Sequence, residues 1–231
     1  MESDPIYFRA RDKKRLEPVH ELYASAPDVA SAPRFEPEID ARCDHLVVRD
    51  RGRIAGACRV LTPKAMKDVS GYRAERHFDM ALLIVLRDRM VEIDRPAVHA
   101  AYSFDLVARH LWSALAQYLI ENRYDHVFTT AGIRLIDGGH DAASMHRMSL
   151  LRFRPPEDYV VYPRERLPLE GLSYARTPTI PPLFTSLIEQ GAWVCGEPAL
   201  VREHGCADFP LLLTLARMQG EAARDFVERA S

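Results

Sequence analysis

Between residues 90 and 151 the hydrophobic period changes from segment to segment, and this succession narrows the fold more than any other stretch. Residues 90–99 (Met-Val-Glu-Ile-Asp-Arg-Pro-Ala-Val-His) form a short apolar run interrupted by charge, the signature of a strand. Ser103 then stands as an N-cap and Asp105 suits the positive end of a helix. Val107, Leu111, Leu115 and Leu119 make a four-residue stripe ending near Asn122. Residues 126–131 (His-Val-Phe-Thr-Thr-Ala) give a second strand bounded by Gly132, and residues 142–151 a second helix opened by Asp141. Strand, helix, strand, helix implies an α/β unit with strands 90–99 and 126–131 side by side.

On either side the punctuation is equally informative. Residues 43–49 and 53–61 read as a hairpin around the Arg51-Gly52 turn, and residues 80–87 as a helix of good helix formers. The proline-rich stretch 155–182 reads as an extended connection. Beyond it come a helix over 183–190 closed by Gly191, strands over 192–195 and 209–215, and a terminal helix over 220–229. With 47% apolar residues in 231 and no internal repeat, a single domain over 1–231 is expected.

Several function classes are disfavoured. A net charge of −2 gives no general attraction to nucleic acid. The longest apolar runs, 80–86 and 209–213, fall far short of the ~20 residues that cross a bilayer, and the N-terminus lacks the apolar core of a signal peptide. Cys43, Cys58, Cys195 and Cys206 are scattered, as expected of reduced packing thiols in a cytoplasmic protein. No His-x-x-x-His, Walker or dinucleotide fingerprint occurs, so neither a metal nor ATP or NAD is indicated.

The candidate chemistry centres on Glu92, a carboxylate among Val91, Ile93, Ala97 and Val98. Apolar surroundings raise a carboxyl toward the range in which it takes a proton from an ammonium; an ion pair with Arg59 or Arg95 is the alternative. Pro96 removes a ladder donor, which fits either a strand splayed to offer N–H groups to a carbonyl or a plain strand end. Asp40, Cys43, Asp44 and His45 form a polar cluster before the hairpin, readable as a cation pocket, a Cys–His pair or a capping turn. Arg147, Arg152 and Arg154 make a basic edge, either a solvated face or a dock for an acidic carrier protein.

Taken together, Cys43-Asp44-His45-Leu46-Val47-Val48-Arg49-Asp50, Gly56-Ala57-Cys58-Arg59-Val60-Leu61, Val91-Glu92-Ile93-Asp94-Arg95 through Val98-His99 and the Leu111-Trp112 helix resemble the ornithine-lipid N-acyltransferases. The segment from Pro181-Pro182-Leu183 through Gly191-Ala192-Trp193-Val194-Cys195-Gly196-Glu197-Pro198-Ala199 to Asp208-Phe209 resembles them too. N-acyl amino acid synthases and, more distantly, acyl-homoserine lactone synthases share that superfamily. The resemblance implies a GNAT-type α/β fold: a mixed, mostly antiparallel twisted sheet flanked by helices, its central strands splayed into a cleft. It implies transfer of a fatty acyl group from the phosphopantetheine of acyl carrier protein, or from acyl-CoA, to the amine of an amino acid, with no tightly bound cofactor. Glu92 matches the family's acidic strand residue and Arg59 and Arg95 its arginines. The chain departs from the family at Ile-Asp-Arg-Pro (93–96) and lacks the glycine-rich loop of acetyl-CoA-using GNAT enzymes at 100–105, which favours a carrier-bound donor.

The expected reaction is direct attack of the amine on the thioester, with Glu92 as base and the N–H groups of Ala97 and Val98 holding the oxyanion. Asp40, Asp44, Arg59, Arg95, Thr129 and Thr130 would shape the substrate pocket. A long-chain product leaves room for peripheral membrane contact. The alternatives are lactone synthesis from S-adenosylmethionine and a non-catalytic acyl-binding or carrier-docking module.

Overall fold

The computed structural model describes residues 6–9, 13–25, 36–174 and 177–218. The expected terminal helix at 220–229 lies outside them. Within them, β1 (Ile6–Arg9), β2 (Asp44–Asp50), β3 (Arg53–Leu61), β5 (Met90–Val98), β6 (His126–Arg134), β10 (Cys206–Thr214) and β8 (Trp193–Val194) form one sheet in that spatial order. β9 (Ala199–Val201) also pairs with β10, and β4 (Phe78–Asp79) with β7 (Tyr162–Pro163) makes a separate two-stranded sheet. Every pairing in the large sheet is antiparallel except β5 with β6.

That parallel pairing is brief. Met90, Val91 and Glu92 stand opposite His126, Val127 and Phe128, and there the register ends. Beyond it β5 stays with β3 while β6 stays with β10, so the two strands part at Glu92. The expected splay is present. Between the Ala57–Ala97 and Arg59–Asp94 rungs, Arg95 and Pro96 together face the single residue Cys58. This is a β-bulge in β5, a position where a proline wastes no ladder bond.

Helix α4 (Phe104–Asn122) crosses one face, burying Val107, Leu111, Leu115 and Leu119 against Leu46, Cys58, Val60, Val91 and Ile93. Close approach depends on Gly56: a Cβ there would lie 2.3 Å from Val107 Cγ1. Helices α5 (His140–Arg152) and α6 (Pro182–Glu189) continue this layer, with Met145, Phe184 and Leu187 in the same core. Ser103 precedes α4, but its side chain makes no capping bond.

The opposite face has two covers. Helix α1 (Lys13–Ser25) lays Leu16, Val19, Leu22 and Tyr23 on Val47, Ala57 and Ala97. Further along the sheet, α3 (Pro63–Asp68) and the chain up to Met90 bury Met66, Tyr72, Phe78, Leu83 and Leu86 over Leu61, Phe128 and Leu212. The expected α-helix over 80–87 is instead a 3₁₀ helix, Ala81–Arg89. The proline-rich connection is largely irregular, with one 3₁₀ turn, Glu157–Tyr159, before β7. Between the two covers lies a polar cluster.

Candidate active site

At the centre of that cluster is Arg59, a guanidinium only 1% exposed on β3. Its Nε donates to Asp94 Oδ1 at 2.7 Å and a terminal nitrogen bonds Asp94 Oδ2. NH1 donates to Asp40 Oδ1 at 2.7 Å, and NH2 to Glu36 Oε2 at 2.9 Å. Arg73 joins from the far side by pairing with Glu36. Burial works against the Arg59 charge, yet Asp94, with Asp40, holds it above its ordinary affinity for the proton. Asp40 comes from the one-turn helix α2 (Pro37–Asp40) and is fully buried, with His20 Nε2 of α1 3.3 Å from its other oxygen. Asp40 therefore fixes Arg59 and cannot touch a substrate.

Glu92 belongs to the same face and is 3% exposed. Its carboxylate accepts the backbone N–H of Arg73 at 2.6 Å and of Ala74 at 2.8 Å, at the start of the 3₁₀ helix Arg73–Arg76. The expected ion pair with Arg59 is not formed: that guanidinium is taken by Asp94, the next residue of β5 on that face. Burial, then the Asp94 charge, pushes Glu92 up to about 8, against the pull of the two N–H groups. Each oxygen keeps a second lone pair for another donor.

The remaining expected residues divide. Asp44 is turned to the other face, where its Oδ2 accepts the Tyr118 hydroxyl of α4 at 2.6 Å, so it shares no pocket with Asp40. Residue 130 alternates with Phe128 onto the Glu92 face, whereas Thr129 is buried with the α4 layer beside Val127 and Ala131. Ala97 and Val98 stand opposite Ala57 and Gly56, four and five rungs of β3 from the Leu61–Glu92 rung; at ~3.3 Å per rung that is roughly 13–17 Å. Those amides are therefore farther from Glu92 than the amides of Ile93 and Asp94. Cys43 and His45 form no activated pair: burial pushes the thiol up and the imidazole down to about 4. Arg147, Arg152 and Arg154 are exposed on α5 and its exit, with Arg147 over the Tyr174 ring. The Arg95 side chain lies outside the described part of the structure. Glu36 and Arg73 carried no signal in a single sequence, because only the fold brings them to Arg59. Asp94 could have been found from its two-residue spacing to Glu92.

Comparison with known proteins bears directly on this arrangement. Residues 21–113, from α1 into α4 and including Arg59 and Glu92, match the acetyltransferase (GNAT) domain. That match spans 93 of the 231 residues. It is 26% identical over 228 residues to the L-ornithine N(alpha)-acyltransferase of Rhodobacter capsulatus, covering 91% of this chain and 86% of that protein; with the GNAT match, this marks an acyltransferase enzyme. Its fold is shared by the loading GNAT-like domain of CurA from Lyngbya majuscula, at a TM-score of 0.53 and 10% identity, over 93% of this chain and 98% of that one. A CoA-dependent acyl-homoserine lactone synthase, BjaI, solved with SAM and isopentyl-CoA, superposes with a TM-score of 0.51 and 11% identity over 98% and 89% of the two chains. The synthase LasI gives 0.50 and 14% over 94% of each. In this shared fold the splay between β5 and β6 is the cleft that the resemblance implied.

Proposed function

We propose that the protein transfers a fatty acyl group from a carrier-protein thioester, with acyl-CoA as the simpler donor, to the α-amine of an amino acid such as ornithine. The observation that carries this reading is the position of Glu92. It is the last residue of β5 paired with β6, so a carboxyl poised near 8 stands at the vertex of the cleft.

The acceptor's ammonium is held by Asp94 and Glu36, whose side chains keep 22% and 14% of their surface exposed, and its carboxylate by Arg73 at 13%. Glu92 accepts a proton from that ammonium, directly or through one water. The freed amine attacks the thioester carbonyl, forming the C–N bond; the C–S bond then breaks and the thiolate leaves as a thiol with the amine's second proton. Successive strand amides point to opposite edges, so one of the Ile93 and Asp94 N–H groups faces the cleft, near enough to Glu92 to hold the oxyanion. Thr130 lies on the facing wall. Arg147, Arg152 and Arg154 receive the acidic carrier.

The test is incubation with acyl-carrier and acyl-CoA thioesters and a panel of amino acids, S-adenosylmethionine included, read by mass spectrometry. An N-acyl amino acid with stoichiometric free thiol is expected. A lactone product, or no amide with any acceptor, overturns the reading.

A further inference from the structure

The 3₁₀ helix Ala81–Arg89 is apolar on faces that nothing in the described residues covers. Its threefold period stacks Met80, Leu83 and Leu86 in one inward row, all buried. The same period aligns Leu82 with Val85 on the outside, with Ile84 beside them. These three are 46%, 78% and 65% exposed, respectively. A helix apolar all round is ordinarily enclosed; this one presents an aliphatic ridge to its surroundings.

Two features next to the ridge say what chemistry it fits. The 3₁₀ turn Glu157–Tyr159 packs on the helix and begins a series of amphipathic rings. Tyr159 meets Trp193 at 5.8 Å between centroids, the Arg217 guanidinium sits 4.5 Å over Trp193, and Tyr162 is half exposed. Tyrosine, tryptophan and arginine together suit the headgroup level of a bilayer. The second feature is charge: Lys64 and Lys67 stand exposed on α3, which packs against the ridge helix.

We propose that this ridge is a lipid-docking surface that rests reversibly on a bilayer with anionic headgroups. The aliphatic row enters the acyl boundary, the rings lie at the headgroup level, and Lys64 and Lys67 meet the lipid phosphates. The inference stands on the ridge and its flanks, whatever the acyl acceptor proves to be.

Vesicle flotation of the full chain tests it, with one set of vesicles containing phosphatidylglycerol and another of phosphatidylcholine alone. The protein should float with the anionic vesicles and much less with the zwitterionic ones. A Leu82→Ser, Ile84→Ser, Val85→Ser protein, shown by circular dichroism to be folded, should partition at least about tenfold less, since burial of three aliphatic side chains is lost. The proposal is overturned if the wild-type chain stays in the soluble fraction with both vesicles, or if the triple variant floats as well as wild type. It is also overturned if the ridge is instead covered by a second copy, seen as a dimer in sedimentation that the triple variant dissolves while no flotation occurs.

Discussion

Arg59 and Asp94 occupy one rung of the β3–β5 ladder, and the guanidinium grips both carboxylate oxygens of the residue directly across from it. That rung ties the bulged half of β5 to β3, just beyond the point where β6 leaves.

Removing the guanidinium strands a carboxylate, Asp40, that water cannot reach. Arg59→Ala should therefore cost about 3–5 kcal/mol, the scale of a buried pair stripped of one partner. Arg59→Lys should recover only part of this, because an ammonium cannot serve three carboxylates in planar fashion. Urea denaturation midpoints measure both; near-wild-type stability of the alanine protein would remove the cluster from the account of what holds the site.

Replacing Glu92 by Gln turns an amide nitrogen toward one of the N–H groups of Arg73 and Ala74, where an acceptor is needed. The expected cost is about 1–3 kcal/mol, together with a fall in acyl transfer on the order of 10²–10⁴. Loss of stability with undiminished transfer would leave Glu92 as a tether of the 73–76 turn and nothing more.

The pH dependence follows from the same carboxyl. In the unfolded chain it titrates near its ordinary 4.5, and in the fold near about 8. Between those values the folded protein holds the extra proton, so stability falls as pH rises from 4.5 through 8 and levels off above. Acyl transfer should climb over the upper part of that range, as the base form appears. The two trends should run in opposite directions, and both should be absent from the Glu92→Gln protein. A turnover profile flat from pH 6.5 to 9 would exclude Glu92 as the base.

Tyr118→Phe deletes the hydroxyl that donates to Asp44 on the α4 face. A hydrogen bond to a charged group predicts a loss of about 1.5–3 kcal/mol, with no change in KM for the amine, since this contact is on the far side of the sheet from Arg59. A raised KM would bring Asp44 back into the acceptor site.

Gly56→Ala places a methyl group 2.3 Å from Val107 Cγ1 and 3.1 Å from the Ala97 carbonyl. Overpacking of this kind costs about 1–3 kcal/mol, and a thermal melt will show it; Val107→Ala in the same chain should recover part of the loss.

The elements legible in the sequence were those with strong period and clear punctuation: the hairpin around Arg51-Gly52, β5, α4, β6, α5 and α6. What stayed hidden has a physical reason in each case. Helix α1 carries Pro18 within it, which reads as a break. Residues 80–87 show good helix formers, but period three and period 3.6 differ by too little over nine residues to tell apart. Glu92 was legible as an odd carboxylate, whereas its partners are main-chain N–H groups, which no side-chain pattern encodes. Asp40 and Asp44 looked like neighbours; the short turn between them sends one to each face. Pro96 drew the expected oxyanion donors to the strand's far end, beyond the amides nearest Glu92.

Pairing of β6 with β10 also bears on the order in which the molecule can assemble. The β2–β3 hairpin closes over a two-residue turn, while β10 must return across more than seventy residues to reach β6. Local pairing is fast and long-range pairing slow, so the wall carrying Arg59 and Glu92 can form early and the opposite wall only once the last described strand has docked. The cleft is then among the final features to exist, and a nascent chain holds its charged cluster complete before it has anywhere to put an acyl group.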